Sequence, residues 1–95
     1  MTDEIEMDCG PRSNDNWTRG TATCNGTSYE FNIKHFDERS EFGIGHGRIS
    51  KLWLRRMGEA RPELNFDRGW ERGFTPRGKG AQVAAIYGAL IARFN

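Results

Sequence analysis

The chain has 95 residues and a formal net charge of +1, with 36% hydrophobic and 28% charged residues, which supplies one modest core and excludes a multidomain reading. No run approaches the roughly 18 apolar residues a membrane helix needs, and the acidic start Met1-Thr-Asp-Glu-Ile-Glu-Met-Asp8 lacks the basic and then apolar pattern of a secretory signal, so a cytoplasmic location is expected. The small total hides an asymmetry: residues 1 to 16 carry five acids and one base, residues 17 to 95 are left at +5, and eleven of the 14 bases are arginine.

Residues 1 to 16 combine acids, Gly10-Pro11 and Ser13-Asn-Asp-Asn16, with little to bury. They read as a disordered acidic tail, with one alternative, a tail folded over the basic surface. Residues 17 to 95 read as a single α+β domain. Trp17 to Cys24 and Ser28 to Phe36 flank Asn25-Gly26-Thr27, and Asn-Gly accepts the positive φ angles of a tight hairpin. In the second arm Tyr29, Phe31, Ile33 and His35 alternate with Glu30, Asn32 and Lys34, the period of a half-buried strand. The first arm sets Trp17, Arg19, Thr21 and Thr23 against Thr18, Gly20, Ala22 and Cys24, with Gly20 a candidate bulge.

After a polar turn at Asp37-Glu-Arg-Ser40, the glycines of Gly43-Ile-Gly-His-Gly47 serve a bend or close backbone approach. They deliver the chain into a third strand, Arg48 to Arg55, with Ser50, Leu52 and Leu54 on one side and Ile49, Lys51 and Trp53 on the other. Met57-Gly-Glu59 turns the chain, and Glu63 to Asp67 alternates again as a short fourth strand. Asp67 to Phe74 reads as a loop pinned by Trp70 and Phe74. Thr75-Pro76 offers a helix start, with the helix proper from about Gly80 to Phe94 and an inward stripe of Val83, Ile86, Tyr87, Leu90 and Phe94. The expected fold is therefore an antiparallel sheet of about four strands with one C-terminal helix packed across one face. Ala81, Ala85, Gly88, Ala89 and Ala92 leave the other side of that helix smooth, which suits a helix-mediated homodimer or reflects alanine's helix propensity alone.

No catalytic residue or cofactor is expected. Gly73 to Gly80 imitates a phosphate-binding loop but ends in Gly80 where a hydroxyl is needed, and no apolar strand feeds it. What remains is an anion site at the helix start beside Arg77 and Lys79. Gly43 to Gly47 fails the dinucleotide fingerprint. His46 is the one group there suited to proton transfer near neutral pH, with Glu41 or Asp67 as conceivable partners. Cys9, Cys24, His35 and His46 are separated by 15, 11 and 11 residues, without the short paired spacings of a zinc site, so no metal is expected. The two cysteines are expected to be reduced.

Between residues 48 and 79 lie nine bases and only four acids. Arg48, Lys51, Trp53, Arg55, Arg56, Arg68, Trp70 and Arg72 are the candidate partner-binding set. Cations with aromatic platforms suit single-stranded nucleic acid through phosphate neutralisation and stacking, and equally suit protein interfaces, where Trp and Arg dominate the binding energy.

Trp17-Thr-Arg-Gly20, Tyr29-Glu-Phe31, Ser40-Glu-Phe-Gly-Ile44, Gly47-Arg-Ile-Ser-Lys-Leu-Trp53 and Asn65-Phe-Asp-Arg-Gly-Trp70 resemble the recurring blocks of a small uncharacterised family of bacterial and phage-borne proteins, over about residues 17 to 75. The resemblance implies no activity or site residue. The basic helix entry Arg77-Gly-Lys-Gly80 departs from that family's more acidic one. Small mobile-element proteins of this size often inhibit host defence, CRISPR effectors included, and this analogy of setting gives the first expectation: a non-enzymatic inhibitor acting by protein contact through the arginine and aromatic surface. The second is binding of nucleic acid or a phosphorylated ligand.

Overall fold

The computed structural model describes residues 4–95. Five strands, β1 (Ile5–Cys9), β2 (Trp17–Cys24), β3 (Thr27–His35), β4 (Ile49–Arg56) and β5 (Leu64–Asp67), precede one helix, α1 (Ala81–Phe94). They form a single antiparallel meander in chain order. The fold is α+β as expected, with five strands in place of about four.

The additional strand comes from the expected tail, of which Met1 to Asp3 lie outside the described residues. Ile5, Met7 and Cys9 alternate with Glu6 and Asp8, and β1 pairs Ile5 with Cys24, Met7 with Ala22 and Cys9 with Gly20. The three apolar side chains pack against the core, and that burial offsets the entropy of ordering the segment. Residues 10 to 16 are also tied down: Gly10 N–H donates to Arg19 O at 3.1 Å and Ser13 N–H to Trp17 O at 2.8 Å. Arg12 bonds Asp37 at 2.7 Å.

The Asn25-Gly26 turn has φ angles of 50° and 81°, both left-handed, as a two-residue hairpin loop requires. It sets the β2–β3 register at Cys24 opposite Thr27 and Gly20 opposite Phe31. Register is continuous through Gly20, so the expected bulge is absent there. Its lack of a side chain instead admits the Phe31 ring, whose Cζ would sit 2.6 Å from a Cβ at residue 20.

The irregularity falls between β3 and β4, where Lys34 opposes Lys51 but His35 opposes Ile49, so Ser50 is the extra residue. A bulge reverses the parity of everything beyond it. Ile49, expected beside Lys51 and Trp53, therefore joins Leu52 and Leu54 in the core, and all three are at most 1% exposed.

One face of the sheet carries the core: Ala22, Cys24, Tyr29, Phe31, Ile33, Leu52, Leu54, Leu64 and Phe66, under Val83, Ile86 and Leu90 of the helix. Tyr87 and Phe94 complete the expected stripe as partly buried members. Phe94 lies 6.1 Å from Phe31 and 5.1 Å from His35, ring to ring. The helix begins at Ala81 behind Gly80, with no side-chain cap, while Thr75-Pro76 belongs to the preceding turns, in which Lys79 N–H donates to Pro76 O. No helix among the described residues is long and apolar enough to cross a membrane.

The glycine stretch before β4 is architectural. A Cβ on Gly43 would overlap Gly47 O, and one on Gly47 would overlap the Asn95 side chain. That side chain clasps the bend to the sheet: Asn95 Nδ2 donates to Ile44 O at 3.0 Å and Oδ1 accepts from Ile49 N–H at 2.9 Å.

Candidate functional site

The helix covers one face of the sheet, and the alternate residues line the other. Register places on this open face Glu6 and Asp8 of β1, Trp17, Arg19, Thr21 and Thr23 of β2, and Glu30, Asn32 and Lys34 of β3. β4 adds Lys51, Trp53 and Arg55, and β5 adds Asn65 and Asp67. At its centre Trp17, Arg19, Asn32 and Trp53 line a groove of about 320 Å³. Trp53 lies directly across from Asn32, and Trp17 across from Lys34. The two half-buried indoles thus stand on either side of β3, about 12 Å apart at their Cα atoms by strand spacing and rise.

Among the described strand residues charge on this face is balanced, with four acids and four bases. Glu30 pairs with Arg55, directly across the strands. Lys51 pairs with Asp67 at 3.5 Å. The Arg55 guanidinium also lies 5.5 Å from the Trp53 ring, within cation–π range, while its Nε is buried without a hydrogen-bond partner.

The sequence-predicted set is therefore divided. Lys51, Trp53 and Arg55 share the open face, and Arg68 borders it, its N–H donating to Ser50 O at 3.0 Å. Trp70 is on the other side, edge-on to Phe66 at 5.1 Å and to Tyr87 at 5.7 Å, where it extends the core under the helix. Arg56 opposes Tyr29 at the strand end, on the helix side. Arg48 is exposed ahead of β4. Arg72 borders a separate depression of mixed charge, with Glu59, Arg61, Glu63 and Lys79. Of the expected anion site, Arg77 is exposed, and Lys79 is engaged with Glu63 at 3.8 Å and Gly73 O at 3.3 Å.

Trp17, Arg19 and Asn32 were absent from the predicted set. The signal for them was in the hairpin: once Asn25-Gly26 fixes the register, the outward residues of β2 and β3 are known.

Of the titrating groups, His46 is exposed and makes no ion pair with Glu41 or Asp67 among the described residues. His35 is half-buried at the edge of the core, 2.8 Å from Thr18 Oγ1. Burial, then the Arg12 charge, pushes its pKa below the usual 6.5. The hydrogen bond from Arg12 holds Asp37 below the usual carboxylate value. Cys9 and Cys24 sit at opposite ends of the β1–β2 ladder and are not bridged. No group of three or more His, Cys, Asp or Glu side chains among the described residues converges to hold a metal ion.

Residues 16–95 match the family described as a domain of unknown function, DUF7678. No curated protein and no solved structure matches the chain.

Proposed function

The chain belongs to the DUF7678 domain family, which carries no activity with it, and on that premise we propose that it is a non-enzymatic binding module acting by protein contact through the open face of its sheet. In setting, we assign it to the small inhibitors that phages and mobile elements direct against host defence in the cytoplasm, CRISPR effectors among them.

The observation that carries the binding reading is the Trp17–Trp53 groove within a charge-balanced rim. Protein interfaces concentrate their energy in a few Trp and Arg residues, ringed by polar contacts that exclude water. The face offers two indoles, the Trp53–Arg55 stack and the Glu30 and Asp67 ion pairs. By strand spacing it measures about 20 Å by 25–30 Å, approaching the ~800 Å² per partner of a standard interface once side-chain relief is counted.

The same balance weighs against nucleic acid as the occupant. Phosphate binding draws on cations that release counterions, and here as many acids as bases share the strands of the face. The two stacking platforms nonetheless keep a single strand as the competing occupant.

The test is host co-purification with the native chain and with Trp17→Ala and Trp53→Ala, followed by a defence-interference assay with the same three proteins. A partner that is retained at moderate salt and lost with either tryptophan, together with restored host defence, is expected. Native chain that leaves defence intact defeats the inhibitor assignment. Single-stranded DNA bound at low salt and released steeply as salt rises transfers the face to nucleic acid.

A further inference from the structure

Beside the tryptophan groove lies a separate pocket of about 150 Å³, lined by Lys34, Lys51 and Arg68, the rings of Phe36 and Phe42, and Ser40. Among the described residues three cations and no acid line it, in contrast to the mixed walls of the depression around Arg72.

Each element of this pocket is locally unfavourable by itself. Lys34 and Lys51 face each other directly across β3 and β4, and like charges so placed weaken a sheet. Asp67 offsets only one of them, at 3.5 Å from Lys51, and its side chain is 64% exposed, where screening makes such a pair weak. Arg68 reaches the pocket through a left-handed backbone at φ 57°, a conformation that costs a residue other than glycine and that collects at functional sites. The Ser50 bulge ties the two segments together, its carbonyl accepting the Arg68 N–H at 3.0 Å, and bulges are over-represented beside active sites. An anion between the three cations turns all of these features to advantage.

The rim adds the rest of the ligand. Phe36 is 38% and Phe42 54% exposed, with Lys34 Nζ 5.8 Å from the first ring and Arg68 Cζ 5.8 Å from the second. Lys34 and Arg68 are thereby held at the mouth of the pocket by cation–π contact. The volume is about five waters' share of liquid, at roughly 30 Å³ each, which admits a tetrahedral oxyanion and leaves its organic part outside, against the rings. We propose that this pocket binds the phosphate of a small phosphate monoester whose flat ring rests on Phe42. The inference does not rest on the protein-binding reading, although Lys34 and Lys51 belong to the same open face.

The test is an NMR titration of ¹⁵N-labelled protein with phenyl phosphate and with inorganic phosphate, at ionic strength held constant with sodium chloride. Saturable shifts are expected at Lys34, Lys51 and Arg68, with phenyl phosphate bound about fivefold more tightly, the scale of one ring contact. Lys34→Met and Arg68→Gly, the latter chosen because glycine accepts the left-handed backbone, should each weaken both ligands about tenfold, as the loss of a charge-assisted contact does. Phe42→Ala should abolish the fivefold preference and, by releasing Arg68 from the ring, weaken both ligands less than either cation variant does, and Trp53→Ala should change neither affinity. Shifts no larger than chloride produces, or affinities unchanged in both cation variants, overturn the site. Equal affinity for the two phosphates in the native chain overturns the ester assignment.

Discussion

Gly20→Ala tests how β1 is seated. A Cβ at residue 20 would lie 2.6 Å from Phe31 Cζ, 2.5 Å from Asp8 O and 2.8 Å from Cys9 Cβ, where carbon contacts settle at about 3.5–4.0 Å. Phe31 is 1% exposed and backed by Phe94, so its ring cannot retreat freely, and the other two atoms belong to the backbone and Cβ of β1. Forcing a methyl into such packing costs about 1–3 kcal/mol. Replacing a strand glycine recovers about 0.5–1 kcal/mol of backbone entropy, which at the middle of both ranges leaves a net loss of about 1.25 kcal/mol. At about 4–8 °C per kcal/mol for a domain of this size, the melting temperature should fall by about 5–10 °C.

Calorimetry and urea unfolding read this directly. If residues 5 to 9 were a loose tail, two of the three collisions would disappear and only the Phe31 ring would oppose the entropic gain. A melting temperature at or above the parent's therefore refutes the seating of β1 against Gly20. Adding Phe31→Leu, which removes Cζ, separates the two sides of the collision. A coupling energy of about 0.5 kcal/mol or more between the substitutions assigns the clash to the ring, and additivity assigns it to the strand.

Trp70→Ala should destabilise the chain by about 2 kcal/mol, because it removes a half-buried indole wedged between Phe66 and Tyr87, yet leave partner capture by folded protein unchanged. Trp53→Ala should do the reverse, and equal urea midpoints for the two variants would contradict the division between core and open face. Asn95→Ala removes the bonds to Ile44 O and Ile49 N–H and should cost about 1–3 kcal/mol, with hydrogen exchange accelerating first at the Ile49 amide. His35 is held below its usual 6.5 by burial and Arg12, so the unfolded chain takes up this proton first as pH falls. Its contribution to stability is whole above 6.5 and declines as pH drops through that value toward the folded pKa. Urea unfolding between pH of about 7.5 and 5.5 should show a decline that His35→Gln reduces, and an unaltered slope in the variant would rule out His35 as its source.

The parts legible in the sequence were those governed by local rules. Asn25-Gly26 announced the β2–β3 hairpin and implied its register, and the three- and four-residue spacing from Val83 to Leu90 announced the buried side of the helix. β1 was obscured because its acids dominate a composition-based reading, although Ile5, Met7 and Cys9 carry the two-residue period of a strand. The site was harder to read, since cations and aromatics clustered in the chain do not thereby cluster in space. Trp53 and Trp70 are 17 positions apart and on opposite sides of the sheet, whereas Trp17 and Trp53 share a groove across 36 positions. The β2–β3 and β3–β4 pairings together bring the latter two into one groove, and for the second of these the intervening residues 36 to 48 give no turn length from which to deduce it.

The bulge at Ser50 is where fold and site depend on each other. Without it, strict alternation would put Ile49 on the open face with Lys51 and Trp53, and the core would lose a side chain that is 0% exposed, worth about 1.5–3 kcal/mol in transfer alone. With it, Ile49 turns inward while Lys51, Trp53 and Arg55 continue outward, so one strand supplies both an apolar seam and a charged, aromatic one. The bulge also leaves Ser50 O to accept the Arg68 N–H, which draws the start of the β5–α1 loop back over the sheet. Deleting Ser50 would set Lys51 opposite Lys34 and Ile49 opposite His35 in unbroken succession, so Ile49 stays inward and the core is kept. What the deletion removes is the carbonyl that accepts the Arg68 N–H, so it should leave the fold standing and displace Arg68 from the pocket it shares with Lys34 and Lys51.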